Sequence, residues 1–394
     1  MCEWKEYKLG ELIITNALTI NKKYPYTEIQ YLDTGSITCN KIESYQYYNI
    51  EDAPSRAKRL VKEEDIIYSL VRPNQLHYGF IKFPQKNLVV STGFVTITCK
   101  KEVLNPKFLY YYLTQNSVIE YLHTIAEAST SAYPSLKPID IESLDIEIPP
   151  LEEQKCIALI ISSLDDKIDL LHQENKTLES MAETLFRKWF IEEVRHEVSL
   201  GDVVETTSGG TPSRKCEEYY QNGIIDWVKS KELNRSFLLK TEEKITVEAV
   251  ENSSAKFLPA NSVLIAMYGA TVGEYAIIAK EMTCNQAVCA LKPNDNYPYT
   301  YLYLWAKFMQ DEFLNLACGA AQQNISQVLI KQQPVCSDVN AVKQFHSIVE
   351  PFFEKLKQNE VQLSSLTYSG AYPFTLDVCF QIFRSISVQP CMEL

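Results

Sequence analysis

The chain lacks most of what would mark a membrane protein, a secreted protein or an enzyme. No stretch of about 18 uninterrupted apolar residues occurs, so no membrane span is expected. The first residues, Met1-Cys2-Glu3-Trp4-Lys5-Glu6, carry both signs of charge and no apolar core, which argues against a signal peptide. The 11 cysteines form no C-x-x-C pair, the closest being Cys284 and Cys289, so neither a zinc site nor a disulfide framework is expected. Free thiols in a reducing cytoplasm are the simpler expectation. A basic excess is missing too: the net charge is −12. Residues 1–150 contribute −2, 151–194 contribute −5, 195–337 contribute −3 and 338–394 contribute −2. The most acidic stretch lies between two near-neutral ones, which leaves room for a local basic face on each.

Catalytic constellations are also missing. Gly209-Gly210-Thr211-Pro212-Ser213-Arg214-Lys215 has glycines and a lysine, but neither the spacing nor the uninterrupted turn of a phosphate-binding P-loop. No G-x-G-x-x-G follows a strand to hold a dinucleotide or methyl donor. Asn105-Pro106-Lys107-Phe108 lacks the second proline of an amino-methyltransferase motif and reads as a helix start. The five histidines (His77, His123, His172, His196 and His346) stand at no metal-ligand spacing. No catalytic residue and no metal ligand is therefore assigned.

What is present is a repeat. Leu9-Gly10-Glu11-Leu12 returns as Leu200-Gly201-Asp202-Val203, 191 residues on. Phe108-Leu109-Tyr110-Tyr111-Tyr112-Leu113 returns as Tyr301-Leu302-Tyr303-Leu304-Trp305-Ala306, 193 residues on. This period is far longer than a solenoid unit of about 20–50 residues, so whole domains are duplicated. Each copy mixes β-rich runs, such as residues 65–70, 88–90, 95–98 and 262–266, with a helix expected over 106–121. The expected fold class is α/β (α+β), with pseudo-twofold symmetry. The expected domains are 1–150, 196–337, two helices at 151–195 and 338–368, and an irregular tail at 369–394.

Both helices carry heptad seams. In the first, Ile157, Ile161, Leu164, Ile168, Leu171, Asn175, Leu178, Ala182, Leu185 and Trp189 alternate steps of four and three. The second reads Val342, Phe345, Val349, Phe352, Leu356, Asn359, Leu363 and Leu366. At about 1.5 Å per residue the first would reach roughly 66 Å. Each seam contains a single asparagine. If the helices pack antiparallel, Asn175 and Asn359 are expected to meet, costing stability but penalising shifted registers.

Binding-type features remain. Ser208-Gly209-Gly210-Thr211-Pro212-Ser213 with Arg214-Lys215 reads as a loop whose free amides, hydroxyls and cations suit phosphate. Alternation places Trp227, Lys229 and Lys231 on one strand face. The glycines after Tyr268 let backbone approach a partner. In the first copy, Thr34 and Ser36 flank a glycine, and Arg72 and Asn74 are of the types that read guanine and adenine edges. For each of these, an ordinary turn or a solvated strand is an equally available reading, with glycines serving positive φ.

Together, the repeat, the helix start Pro150-Leu151-Glu152-Glu153-Gln154, the Ser-Gly-Gly-Thr-Pro-Ser loop and Leu185-Phe186-Arg187-Lys188-Trp189-Phe190 resemble a type I restriction–modification specificity (S) subunit over about residues 1–366. The resemblance implies two target recognition domains, each reading half of a split asymmetric double-stranded DNA sequence, with antiparallel spacer helices docking the methylation (M) subunits. It also implies that M and restriction (R) subunits carry the chemistry and bind S-adenosylmethionine, ATP and Mg, this chain being non-catalytic, cytoplasmic and without a membrane partner. Two departures stand out. The first copy has Thr19-Ile20-Asn21-Lys22-Lys23-Tyr24 where the second has its Gly-Gly loop, so the two domains are expected to read different sequences. Residues 368–373 break the second helix, and codons able to encode residues 367–378 give a helix-forming sequence one base out of frame, which points to a frameshifted end. The rival readings are a two-lobed coiled-coil scaffold for protein partners and a standalone modification enzyme, the latter disfavoured by the missing motifs.

Overall fold

A computed structural model describes residues 4–129, 133–193, 195–318, 324–366 and 380–381. It divides into two compact units, Met1–Lys167 with Thr367–Leu394, and Ile168–Leu366. The irregular tail and the helix break expected at 368–373 lie outside the described residues, apart from the helical pair Phe380 and Gln381.

In the first unit, strand Phe94–Cys99 lies between Ile13–Thr15 and Ile66–Ser69, all antiparallel, and Tyr78–Phe80 extends the sheet. A second sheet is built on the parallel pair Glu28–Leu32 and Leu88–Ser91, flanked by Gln46–Asn49 and Ala57–Leu60. Strand Lys5–Lys8 pairs with Asp145–Ile148. Leu88-Val89-Val90 reads as an apolar run because both faces of the pair are covered; Ile29, Leu32, Val89 and Val90 are at most 1% exposed.

The second unit repeats the central pairings, but among the described residues Phe237–Leu238 adds a fifth strand beside Tyr275–Ile278, and the second sheet has three strands rather than four. Val288–Lys292 lies between Glu205–Ser208 and Val263–Ala266, with Tyr275–Ile278 next. Ile225–Val228 runs parallel to Thr283–Cys284, and Glu197–Ser199 pairs with Pro334–Cys336. Registers agree as well: Ile97 opposes Thr15 and Ile66, while Leu291 opposes Thr206 and Val263. The duplicated Leu-Gly segments both form one-turn helices, Leu9–Leu12 and Leu200–Val203.

The helix expected over 106–121 is two helices, Pro106–Leu113 and Asn116–Glu127. Asn105 caps the first by accepting from the Phe108 amide, 3.0 Å. The break follows from Thr114, whose hydroxyl bonds back to the Tyr110 and Tyr111 carbonyls, and from Gln115, which is extended.

The first long helix runs Leu151–Phe186 and continues as a π-helical segment, Arg187–Glu192. The second runs Val339–Leu366. Within the second unit they are antiparallel: Phe186 meets Phe345, with centroids 5.7 Å apart, and Asn175 meets Asn359. The seams need two corrections. Ile157, Ile161, Leu171, Ala182, Val342, Phe345, Val349, Leu356 and Leu363 are buried as expected. Leu164, Ile168, Leu178, Leu185, Trp189 and Phe352 are only half-buried, and Phe186 and Phe353 take core places instead. A strict period of 3.5 drifts from a straight helix of 3.6. The step from Ala182 to Phe186 and the wider π turn after it carry that drift.

At the asparagines the seam holds a polar set. Asn359 Nδ2 donates to Asn175 Oδ1, 2.8 Å, and to Glu174, 2.9 Å. Asn175 Nδ2 donates to Glu360, 3.0 Å, and Lys355 pairs with Glu174. Oδ1 of Asn359 is buried without a hydrogen-bond partner among the described residues, and burial pushes the Glu360 carboxyl up. The set therefore costs stability relative to leucine, while any shifted register would strand more amides.

Candidate nucleic-acid interface

In both domains the same loops gather where the parallel strands end. In the second domain, the amide of Asn285 donates to Val228 O (2.9 Å) and that of Met267 to Ala287 O (2.8 Å). This ties the segments after Val228 and Ala266 to residues 285–287, and the Thr211 hydroxyl bonds Gln286 in the same loop. In the first domain the Leu70 amide donates to Gly93 O, 2.8 Å, and Gly93 lies under the Thr34 methyl. The Cys39 amide reaches Leu76 O, 2.9 Å. Thr34 and Ser36, in the 3-10 turn Thr34–Ser36, thus share an edge with Arg72, which precedes the turn Pro73–Gln75, and with Asn74 inside it. Arg72 and Asn74 are exposed, and the Arg72 guanidinium lies 5.3 Å from the Tyr133 ring centroid.

The Gly-Gly loop differs from expectation. Gly209 and Gly210 are buried, and their amides are spent on Val288 O and Cys284 O. Neither has positive φ; a Cβ at Gly209 would overlap the Cys284 carbonyl, and one at Gly210 the backbone at 254–255. These glycines let two backbones pack, and they offer no free amides to phosphate. The exposed part of the loop is Ser213, Arg214 and Lys215, with Ser208 and Thr211 half-buried.

Trp227 also differs. It is 2% exposed, and its Nε1 donates to Gly210 O, 3.0 Å. The strand ends at Val228, and Ser230–Glu232 is a 3-10 turn, so Trp227, Lys229 and Lys231 do not share a strand face. Trp227 is a floor: Tyr220 packs edge-on to it at 6.0 Å, and Arg214 lies 4.1 Å from the Tyr220 centroid and 5.2 Å from Trp227.

Sequence reasoning missed the acidic partners of this floor. Glu243 holds Arg214 in a two-pronged pair and also meets Lys229 at 3.3 Å. Glu242 meets Lys231 at 2.6 Å and Lys229 at 3.5 Å. The Arg214 hydrogen bond, with that of Lys229, pushes the Glu243 carboxyl down to about 2 against the cost of its partial burial. Burial instead raises Glu232, which accepts from the Glu242 amide. The run Thr241-Glu242-Glu243-Lys244 was the available signal, but sequence does not say which lysine a glutamate faces. Tyr268 is exposed beside Gly269, one of two glycines among the described residues with positive φ, at 70°, with Gly273 at 80°. Burial pushes the Cys284 and Cys289 thiols up to about 12, as inert core groups.

The fold and its loop edges define a class: two copies of a recognition domain, each followed by a long helix. The family model described as type I restriction modification DNA specificity domain matches residues 1–180 and again 192–336. The chain belongs to this family of type I restriction–modification specificity subunits. It is 26% identical to the HindI specificity subunit of Haemophilus influenzae, over 93% of this chain and 97% of that one. It is 24% identical to the MjaIX specificity subunit of Methanocaldococcus jannaschii, over 84% and 82%. The fold is shared with the crystal structure of a type I restriction–modification S subunit from M. genitalium, with TM-score 0.64 at 16% identity, covering 97% and 96% of the two chains. Among the described residues, no helix is long and apolar enough to cross a membrane.

Proposed function

We propose that each domain reads one half of a bipartite, asymmetric duplex DNA sequence, and that the paired helices fix the register between the halves. In this reading the helices dock methylation (M) subunits, restriction (R) subunits join them, and these partners bind S-adenosylmethionine, ATP and Mg. The chain itself is non-catalytic and works in the cytoplasm. The observation that carries the proposal is one strand scaffold used twice with different side chains along the same loop edge: Arg72 and Asn74 in one copy, Tyr268 and acid-paired Arg214, Lys229 and Lys231 in the other. A conserved scaffold with divergent edge loops is how sequence readers vary their target while keeping their docking. In the second domain, phosphates would replace Glu242 and Glu243 as partners of cations already held in place.

The test is binding of the chain, with its methylation subunits, to duplexes selected from a random pool and to scrambled controls across a salt series. The proposal expects a split motif bound at least about a thousandfold tighter than scrambled duplex, with affinity falling as salt rises. Equal binding of selected and scrambled duplex at every salt concentration would favour the scaffold reading instead.

A further inference from the structure

Each domain has two left-handed backbone positions four residues apart around the same turn. They are Arg72 (φ 47°) and Leu76 (φ 60°) in the first domain, and Gly269 (φ 70°) and Gly273 (φ 80°) in the second. Both matches lie 197 residues apart, as do the preceding strands, where Ile66 opposes Ile97 and Val263 opposes Leu291. The tethers match too. The Leu136 amide donates to Leu70 O at 2.7 Å, and the Ile325 amide to Met267 O at 2.9 Å. Arg72 is therefore the counterpart of Gly269.

Left-handed backbone is strained for any residue with a Cβ and unstrained for glycine. The second copy makes the turn with glycine. The first makes it with an arginine, and strain of this kind gathers at functional positions. Packing does not account for the arginine: it is exposed, and a Cβ placed on Gly269 would meet nothing within 4 Å. Ion pairing does not account for it either. Arg214, Lys229 and Lys231 are each held by glutamates, whereas Arg72 has no carboxylate partner among the described residues and rests only by Tyr133.

We infer that Arg72 is a specificity-determining residue of the first domain, its guanidinium fork donating to O6 and N7 of one guanine in that domain's half-site. This rests on the bipartite reading above. A contact shared by both copies would hold the DNA backbone; one made in a single copy, from a position the other leaves bare, is where the half-sites differ. Among side chains, the planar two-pronged donor of arginine matches the major-groove edge of guanine.

The test uses the full chain with its methylation subunits, selecting duplexes from a random pool with wild type, Arg72→Gly and Arg72→Lys. Wild type should require guanine at one position of the first half-site. Arg72→Gly should lose about tenfold to a hundredfold of discrimination at that position alone. Arg72→Lys, which keeps the charge without the fork, should lose the same discrimination while holding overall affinity within a few-fold. The second half-site should be unchanged in both. Unfolding temperature should stay within about 2 °C for Arg72→Gly, since relieved strain offsets the added chain entropy. A bipartite wild type whose first half-site is untouched in Arg72→Gly overturns this inference and leaves the bipartite reading standing. A wild type with no split preference overturns both.

Discussion

The first and second recognition domains share the register of their central strands, yet their candidate edges are built on opposite principles. The second domain's cations lie on an aromatic floor of Tyr220 and Trp227 and are held by Glu242 and Glu243. The first domain presents Arg72 from a strained turn with no acidic partner among the described residues. One edge is preorganised by packing and paired charge, the other by backbone geometry and a single aromatic ring. A duplicated scaffold thus fixes where a side chain projects, and leaves open how it is held there.

The largest effect expected from this contrast is on stability. Trp227→Ala removes a buried indole and the partner of Gly210 O, and should destabilise the second domain by about 3–5 kcal/mol. Chemical denaturation followed by domain-resolved hydrogen exchange should show residues 205–292 losing protection while residues 5–99 keep theirs. Equal loss in both would break the contrast.

The shared helices come next. Replacing Asn175 and Asn359 together by leucine removes the orphaned amide oxygen and should raise stability by about 1–4 kcal/mol. The same change should widen the range of spacer lengths accepted between half-sites. Asn359→Leu alone leaves Asn175 and Glu174 with a lost partner and should not stabilise. A double variant less stable than wild type would mean that the polar set contributes net stability.

The smallest expected effect is electrostatic. Glu243 is depressed to about 2 from an ordinary value of 4.5, so its contribution is fully present above pH 4.5 and is lost as pH falls toward 2. Arg214 is half-exposed, so the pair is worth less than about 1 kcal/mol. The difference in unfolding free energy between wild type and Glu243→Gln should be constant from pH 7 to 5 and smaller at pH 3. A gap that widens on acidification would contradict the pairing.

Much of this was readable from the sequence, for identifiable reasons. The duplication showed because Leu9-Gly10 and Leu200-Gly201 do the same job in both copies, and the asparagine pair showed because a polar residue in an apolar seam is a strong local signal. The edge of the second domain was misjudged because its determinants are non-local. Alternation placed Trp227 beside Lys229, but the strand ends at Val228, and only tertiary packing shows that Gly209 and Gly210 are glycines to admit the backbones at 284 and 254–255. Phe186 was passed over because the heptad pointed to Leu185. Its place in the core depends on Tyr301 and Phe308, more than a hundred residues away.

The central claim is that the two copies read independently. The most direct measurement exchanges residues 196–337 for the same region of a relative and maps the methylated sequence produced with the cognate methylation subunits. Independent reading predicts that one half-site changes completely while the other half-site and the spacer between them stay as they were. A map in which both half-sites change together would contradict it.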